Sequence, residues 1–181
     1  MTELWQIDSS HSGIHFSVRH MVVAKVRGQF ERWTGTVFAQ NGELDKATVE
    51  VTIDASSIQT GVADRDAHLK SADFFDVASY PEITFKGREI KPVSNGRFVL
   101  VGDLTIRGTT REIELQVSDA GQVKDPWGNV RAGFSARGSL DRKDYGLTWN
   151  QALETGGLVV GDRIEIEIEV EAVKQAQTKA A

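Results

Sequence analysis

Arg163-Ile164-Glu165-Ile166-Glu167-Ile168-Glu169-Val170-Glu171-Ala172-Val173 decides the fold class of this chain. Ile164, Ile166, Ile168 and Val170 fall on one parity, and Glu165, Glu167, Glu169 and Glu171 on the other. A helix scatters both sets around its circumference; an extended strand sorts them into one dry face and one wet face. The four glutamates therefore read as the solvated side of a strand, in preference to an acidic cation site.

The same alternation recurs in both directions from that stretch. Ile14, Phe16 and Val18 alternate with His15, Ser17 and Arg19, and Val49, Val51 and Ile53 with Glu50 and Thr52. Ile83 and Phe85 flank Thr84, and Phe98, Leu100, Leu104 and Ile106 share a parity interrupted by Gly102. Ile113, Leu115 and Val117 follow, then Val130, Ala132, Phe134, Ala136 and Leu140. Turn signals separate the runs: Asn41-Gly42, Asn95-Gly96, Arg107-Gly108-Thr109 and Asp125-Pro126-Trp127-Gly128-Asn129. About eight strands with one-sided apolar faces and short connections predict an all-β domain, an antiparallel sheet closed as a barrel or folded as a sandwich. The barrel is favoured by long strands near Ile14 and Val130, each of about ten residues or more. It is also favoured by glycines inside strands (Gly28, Gly35, Gly87, Gly102, Gly133, Gly138), where closure needs bends.

One segment breaks the period of two. Val62-Ala63-Asp64-Arg65-Asp66-Ala67-His68-Leu69-Lys70-Ser71-Ala72-Asp73 fits a short helix with a narrow apolar stripe, after Gly61 and before Phe74-Phe75. Such a helix is either a lid across one barrel end or a plain connector. Residues 1–174 read as a single domain, and 175–181, without an apolar pattern, as a disordered tail.

Composition bounds the chemistry. The chain has 181 residues, enough for one domain that buries a core without covalent staples. With no cysteine, it has no disulfide framework, thiol nucleophile or thiolate metal site. Lys and Arg number 21 against 26 Asp and Glu, a net charge of −5 with no strongly basic arm, which argues against a nucleic-acid binder. Glycine counts 17 and proline 3, which suits a β-protein with bent strands. The opening Met1-Thr2-Glu3-Leu4-Trp5-Gln6-Ile7-Asp8 has neither a basic nor an apolar leader region, so a cytoplasmic location is expected, or a periplasmic one for a processed form. No run suits an integral membrane segment.

No catalytic constellation emerges. On a straight strand His11 and His15 lie about 13 Å apart at about 3.3 Å per residue, too far to share one metal ion with ligands at about 2.1 Å. His20 points to the opposite face, so no metal site is expected. Ser9-Ser10-His11-Ser12 sets hydroxyls beside an imidazole, but adjacency in sequence is not catalytic geometry, and such a cluster at a strand entrance caps turns. Gly156-Gly157-Leu158-Val159-Val160-Gly161 lacks the Lys-Ser/Thr ending of a phosphate loop and precedes a strand, so it reads as a flexible loop. Trp127 and Trp149 either stack on a ligand or close a barrel end. A barrel of about eight strands either fills with side chains or holds one small ligand. Small residues on the inward parity (Gly102, Ala132, Ala136, Gly138) are expected to leave volume inside. An apolar cavity selects an apolar ligand by area burial.

A set of segments in fixed order adds to this reading. Trp5-Gln6-Ile7-Asp8-Ser9-Ser10-His11-Ser12 leads into Ile14-His15-Phe16-Ser17-Val18-Arg19-His20, then Gly28-Gln29-Phe30. Asp64-Arg65-Asp66-Ala67-His68-Leu69 precedes Asp73-Phe74-Phe75-Asp76 and Tyr80-Pro81-Glu82-Ile83-Thr84-Phe85. Gly102-Asp103-Leu104-Thr105-Ile106-Arg107-Gly108-Thr109-Thr110 and Arg142-Lys143-Asp144-Tyr145-Gly146-Leu147 complete it. Together, over residues 4 to 172, these resemble the YceI-like family. The resemblance implies a lipocalin-like, antiparallel eight-stranded barrel that binds polyisoprenoid chains, such as polyprenyl phosphates or isoprenoid quinones, in an elongated apolar tunnel. Its role is then storage or shuttling without catalysis or cofactor, and a homodimer is compatible with it.

On that resemblance, Ile14, Phe16, Val18, Val51 and Ile53 face a lipid, as do Phe85, Leu100, Leu104, Ile106, Ala132 and Phe134. Ordinary core packing is the competing role for each. Leu69, Phe74 and Phe75 seal one end. His11, Arg65, His68 and Arg142 are candidates to meet a polar head group, with surface ion pairing as the alternative. Two other functions remain open. An enzyme acting on a lipophilic substrate at the barrel mouth needs two titratable groups facing one cavity, and a protein-interaction barrel needs a filled interior beside an exposed apolar patch.

Overall fold

The computed structural model describes residues 1–154, 157 and 159–176; residues 177–181 of the expected tail, and 156 and 158 of the glycine-rich loop, lie outside the described residues. Eleven strands run in the order β1 (Thr2–Ile7), β2 (Gly13–His20), β3 (Ala24–Phe30), β4 (Trp33–Gln40), β5 (Glu43–Asp54), β6 (Ile58–Gln59), β7 (Glu82–Ser94), β8 (Arg97–Ile106), β9 (Thr109–Lys124), β10 (Val130–Asp141) and β11 (Val160–Lys174), with one helix, α1 (Ala63–Lys70), between β6 and β7. All pairings are antiparallel, and the sheet closes where Trp5 of β1 lies opposite Lys174 of β11. The result is an eight-stranded antiparallel barrel with one short helix.

Eleven strands make eight staves because three staves are broken, one of them where β5 passes through a 3-10 turn at Ala55–Ser57 into β6, which pairs with β3. The stave beside β11 consists of β1, which pairs with residues 172–174, and β2, which pairs with residues 160–169. Between them Asp8 accepts from the Ser10 amide and starts a single 3-10 turn over Ser9–His11, so the Ser/His cluster caps a turn. Their neighbours β3 and β4 are broken in register with them at Glu31 and Arg32. The break leaves β2 at 8 residues, shorter than expected; the long strands are β9 with 16 and β11 with 15.

The alternation of β11 is realised directly. Ile164, Ile166 and Ile168 lie opposite Val18, Phe16 and Ile14, all on the inner face, while the glutamates point outward. At Asn41-Gly42 and Arg107-Gly108 both residues of the turn have positive φ (52° and 75°; 48° and 71°), the twist a tight hairpin requires. The inward glycines do a different job from the one expected. A Cβ on Gly102 would stand 2.4 Å from Phe85 Cζ, and one on Gly138 would stand 2.7 Å from Leu115 Cδ2. The space that these glycines vacate is filled by the neighbouring strand's side chain and is not left empty.

The interior is therefore unequal along its length. At the end formed by β1, the start of β10 and the finish of β11, the barrel is packed solid with Trp5, Ala39, Leu100, Ala132 and Ala172, all buried. Ala132 lies opposite Ala172 in the β10–β11 ladder, and both are buried. The other half, beneath α1, is hollow.

Candidate functional site

The hollow half holds a cavity of about 200 Å³, slender beside the roughly 300–1,000 Å³ usual for a small-molecule site. Its walls are aliphatic and aromatic apart from His15, Arg142 and Tyr145. Ile14, Phe16 and Val18 of β2 face it, as do Val51 and Ile53 of β5, Phe85 of β7, and Leu104 and Ile106 of β8. The last strand adds Ile164, Ile166, Ile168 and Val170.

Three inward-parity residues are not on this wall. Leu100 lies over Gly87, Ala132 is in the packed end, and Phe134 is half-buried against the core. Parity tells which way a side chain points but not how deep along the barrel it sits. Leu100 and Ala132 face inward in the packed end, and Phe134 lies at its border, opposite the cavity-lining Val170.

The mouth is built by α1 and the turn after it. Leu69, Phe74 and Phe75 reach the cavity, and the edge of Phe75 meets Phe30 at 6.1 Å between ring centroids. Phe74 also packs on Trp149 at 5.5 Å, so that tryptophan belongs to the closure of this end, whereas Trp127 projects into solvent from the β9–β10 turn. His68 is wedged edge-on against Trp149 at 4.6 Å and Phe74 at 5.0 Å, and its Nε2 lies 2.8 Å from Asp73 Oδ2.

The four head-group candidates are spread over three places. Arg65 is committed to Thr60, donating to its hydroxyl at 2.7 Å and its carbonyl at 2.8 Å. His68 holds the mouth as above. His11 is exposed on the outer wall, 2.9 Å from Asp8 Oδ2, and does not line the cavity. Arg142 does line it, but its guanidinium is only 3% exposed and its donors are taken. They go to the carbonyls of Leu147 (2.6 Å), Trp149 (2.9 Å), Gly161 (2.8 Å) and Val160 (3.3 Å). Burial pushes the Arg142 pKa down, while Asp162 and Asp141 act the other way. Arg142 thus pins the segment from the 3-10 turn at Arg142–Tyr145 to the start of β11.

Tyr145 carries no strand periodicity and was not among the expected residues. It is 2% exposed, lines the cavity, and its hydroxyl is buried without a hydrogen-bond partner among the described residues. Burial, with Asp144 nearby, pushes its phenol up to about 12.

On the outer wall Asp8, His11 and Glu171 bring ligand-type atoms within 4.8 Å of one another. The Arg131 guanidinium already sits among them, donating to Asp8 at 3.1 Å and to Glu171, with Asp125 at 2.9 Å on its other edge. Hydrogen bonds from Ser10 and His11, with Arg131 behind them, hold the Asp8 carboxyl well below the usual range. Burial raises Asp125, but bonds from Arg131, Asn129 and the Trp127 amide outweigh it and the net shift is downward.

The model of the YceI-like domain matches residues 5–172. A UPF0312 protein of Staphylococcus aureus (strain N315) is 38% identical over 165 residues, covering 91% of this chain and 94% of that protein. A Campylobacter jejuni YceI protein is 29% identical with a TM-score of 0.75, over 87% of this chain and 90% of that one. At the level of fold alone, BcnA of Burkholderia cenocepacia (20% identical, TM-score 0.79, 91% and 98% covered) has the same barrel. So does a polyisoprenoid binding domain from Saccharophagus degradans (13% identical, TM-score 0.69, 94% and 98% covered). A match over nearly the whole barrel, from the closing Trp5 to the buried Ala172, places this chain in the YceI-like domain family.

Proposed function

We propose that the barrel carries a long-chain isoprenoid lipid, with the tail in the hollow half and no chemistry done on it. The observation behind the reading is an apolar cavity enclosed by a closed barrel and open toward α1. Burial of a flexible hydrocarbon against such walls is favourable by about 25 cal/mol per Å². A family relationship to YceI-like domains and a shared fold with a polyisoprenoid binding domain support the same class of ligand. A polyprenyl phosphate or an isoprenoid quinone both fit this class.

An enzyme at the mouth is the weaker reading. It needs two titratable groups converging on one point of the cavity; His11 is outside, His68 is held between two aromatic rings and Asp73, and His15 and Tyr145 on the wall share no hydrogen bond among the described residues.

The test is a solvent extract of the purified protein examined by mass spectrometry, followed by uptake of added polyprenol and ubiquinone. An extractable isoprenoid, or saturable uptake of either probe, is expected. Lipid-free extracts together with no uptake would sink the reading.

A further inference from the structure

The β2–β3 hairpin ends in Met21-Val22-Val23, exposed to 47%, 60% and 85%. Hairpin tips favour Gly, Asn and Asp, because those residues take positive φ readily and tolerate water. Here Met21 and Val22 both adopt the left-handed region, with φ of 52° and 66°, where a β-branched side chain is sterically disfavoured. Val22 lies over Gly157, where a Cβ would stand 2.6 Å from the valine Cγ2; the apolar surface that all three residues still expose points to a use outside the protein.

Charge gives a second, separate observation. Residues 13–30 contain Arg19, Lys25 and Arg27 with His15 and His20, and no acidic residue, in a chain of net charge −5. Arg19 lies directly opposite Lys25, and the outer face of the hairpin carries Arg27 on the same side. Among the described residues none of these three has an ion pair. Like charges facing across a ladder repel unless an anion joins them. The glutamates of β11 begin one step further from the tip: Glu165 is opposite Ser17 and accepts from Arg163 Nε, and Glu167 is opposite His15; Asp162, in the β11 bulge between the partners of His20 and Val18, is paired with Arg142 and Lys143. The cationic zone is therefore the tip half of the hairpin.

The inner face of the same hairpin is cavity wall, through Ile14, Phe16 and Val18. The Met21 amide donates to the Val159 carbonyl at 2.8 Å, next to Val160, which also lines the cavity. An apolar path thus runs from the exposed tip to the interior.

We propose that this hairpin docks on an anionic lipid bilayer, with Met21, Val22 and Val23 among the acyl chains and Arg19, Lys25 and Arg27 over the head groups, so that an isoprenoid passes between bilayer and cavity along β2. The exchange step rests on the lipid-carrier reading above; the docking step does not. Small apolar insertion with a few cations gives reversible, salt-sensitive attachment.

The test is co-sedimentation of the full chain with phosphatidylcholine vesicles and with vesicles containing about one-third phosphatidylglycerol. Wild type is expected to bind the anionic vesicles about tenfold more tightly, and to lose most of that difference in high salt. Val22→Asp/Val23→Asp and Arg19→Glu/Lys25→Glu are each expected to reduce binding about tenfold, while thermal midpoint and uptake of polyprenol from dilute ethanol stay at wild-type values. Equal binding to both vesicles, or variants that bind like wild type, overturns the docking. So does a tip that instead holds two copies together, seen as a dimer that the tip variants convert to monomer without any vesicle binding. Docking with no isoprenoid uptake sinks the carrier reading alone; uptake with no docking sinks this inference alone.

Discussion

Arg142 Nη1 stands 2.6 Å from the carbonyl oxygen of Leu147, and the same nitrogen donates to Trp149 at 2.9 Å. One buried cation thereby fixes the residues that carry Leu147, Trp149 and Val160 to the cavity and its mouth. Carbonyls that face a guanidinium in a dry site have no water to fall back on.

Arg142→Met is expected to destabilise the protein by about 3 kcal/mol or more, because several buried carbonyls lose their donors together. Arg142→Lys is expected to recover less than half of that loss, since a compact ammonium cannot reproduce a planar fork reaching four carbonyls. Urea unfolding midpoints of the two variants measure both statements.

Tyr145→Phe removes a hydroxyl that has no partner, so the empty protein is expected to be as stable as wild type or up to about 1 kcal/mol more stable. The phenol supplies a pH test as well. Its pKa is raised to about 12 in the fold against about 10 unfolded. The neutral form is favoured in the native state, so stability is intact below the unfolded value and declines as pH rises through this window. Thermal midpoints between those pH values are expected to fall more steeply in wild type than in Tyr145→Phe, and tyrosinate absorbance is expected to report one late-titrating phenol.

Arg131 binds three carboxylates from three parts of the chain, Asp8, Asp125 and Glu171. Asp8 and Asp125 titrate below their ordinary range, so their contribution is present above the unfolded carboxylate value of about 3.9 and is lost as pH falls beneath it. Arg131→Met is expected to lower the thermal midpoint at neutral pH and to flatten its decline in acid. A variant with the wild-type acid limb would show that the cluster is not the source of the dependence.

Leu104 is buried and faces the cavity from β8. Leu104→Glu is expected to abolish isoprenoid uptake, whereas Leu104→Met keeps it within about threefold, because methionine conserves volume and polarity. Circular dichroism and a cooperative melt of the glutamate variant separate lost binding from lost folding.

How far the sequence carried depended on whether position or only direction was at stake. The alternation of Arg163–Val173 gave the inner and outer faces of the last stave without error, since a period of two has one physical meaning. Leu100 and Ala132 share the inward parity but lie where the barrel is solid, and Phe134 stands at the border of that region; parity holds no information about depth. The broken stave was hidden for a related reason: Asp8 starts a single turn whose signature is three residues long. Gly102 and Gly138 read as vacancies until the rings and methyls of Phe85 and Leu115 were found against them. Tyr145 and the pinning role of Arg142 depend on contacts between a 3-10 turn and a loop up to 19 residues away, which no local pattern encodes.

A barrel that is solid at Trp5 and Leu100 and hollow beneath α1 is a blind tube. On the proposed carrier reading, cargo leaves by the opening through which it came, and the protein is no conduit between two compartments at its two ends. On the same reading the floor acts as a ruler: the distance from it to Phe74 and Phe75 sets how many repeating units lie under cover, and every unit beyond that number protrudes into whatever the mouth faces.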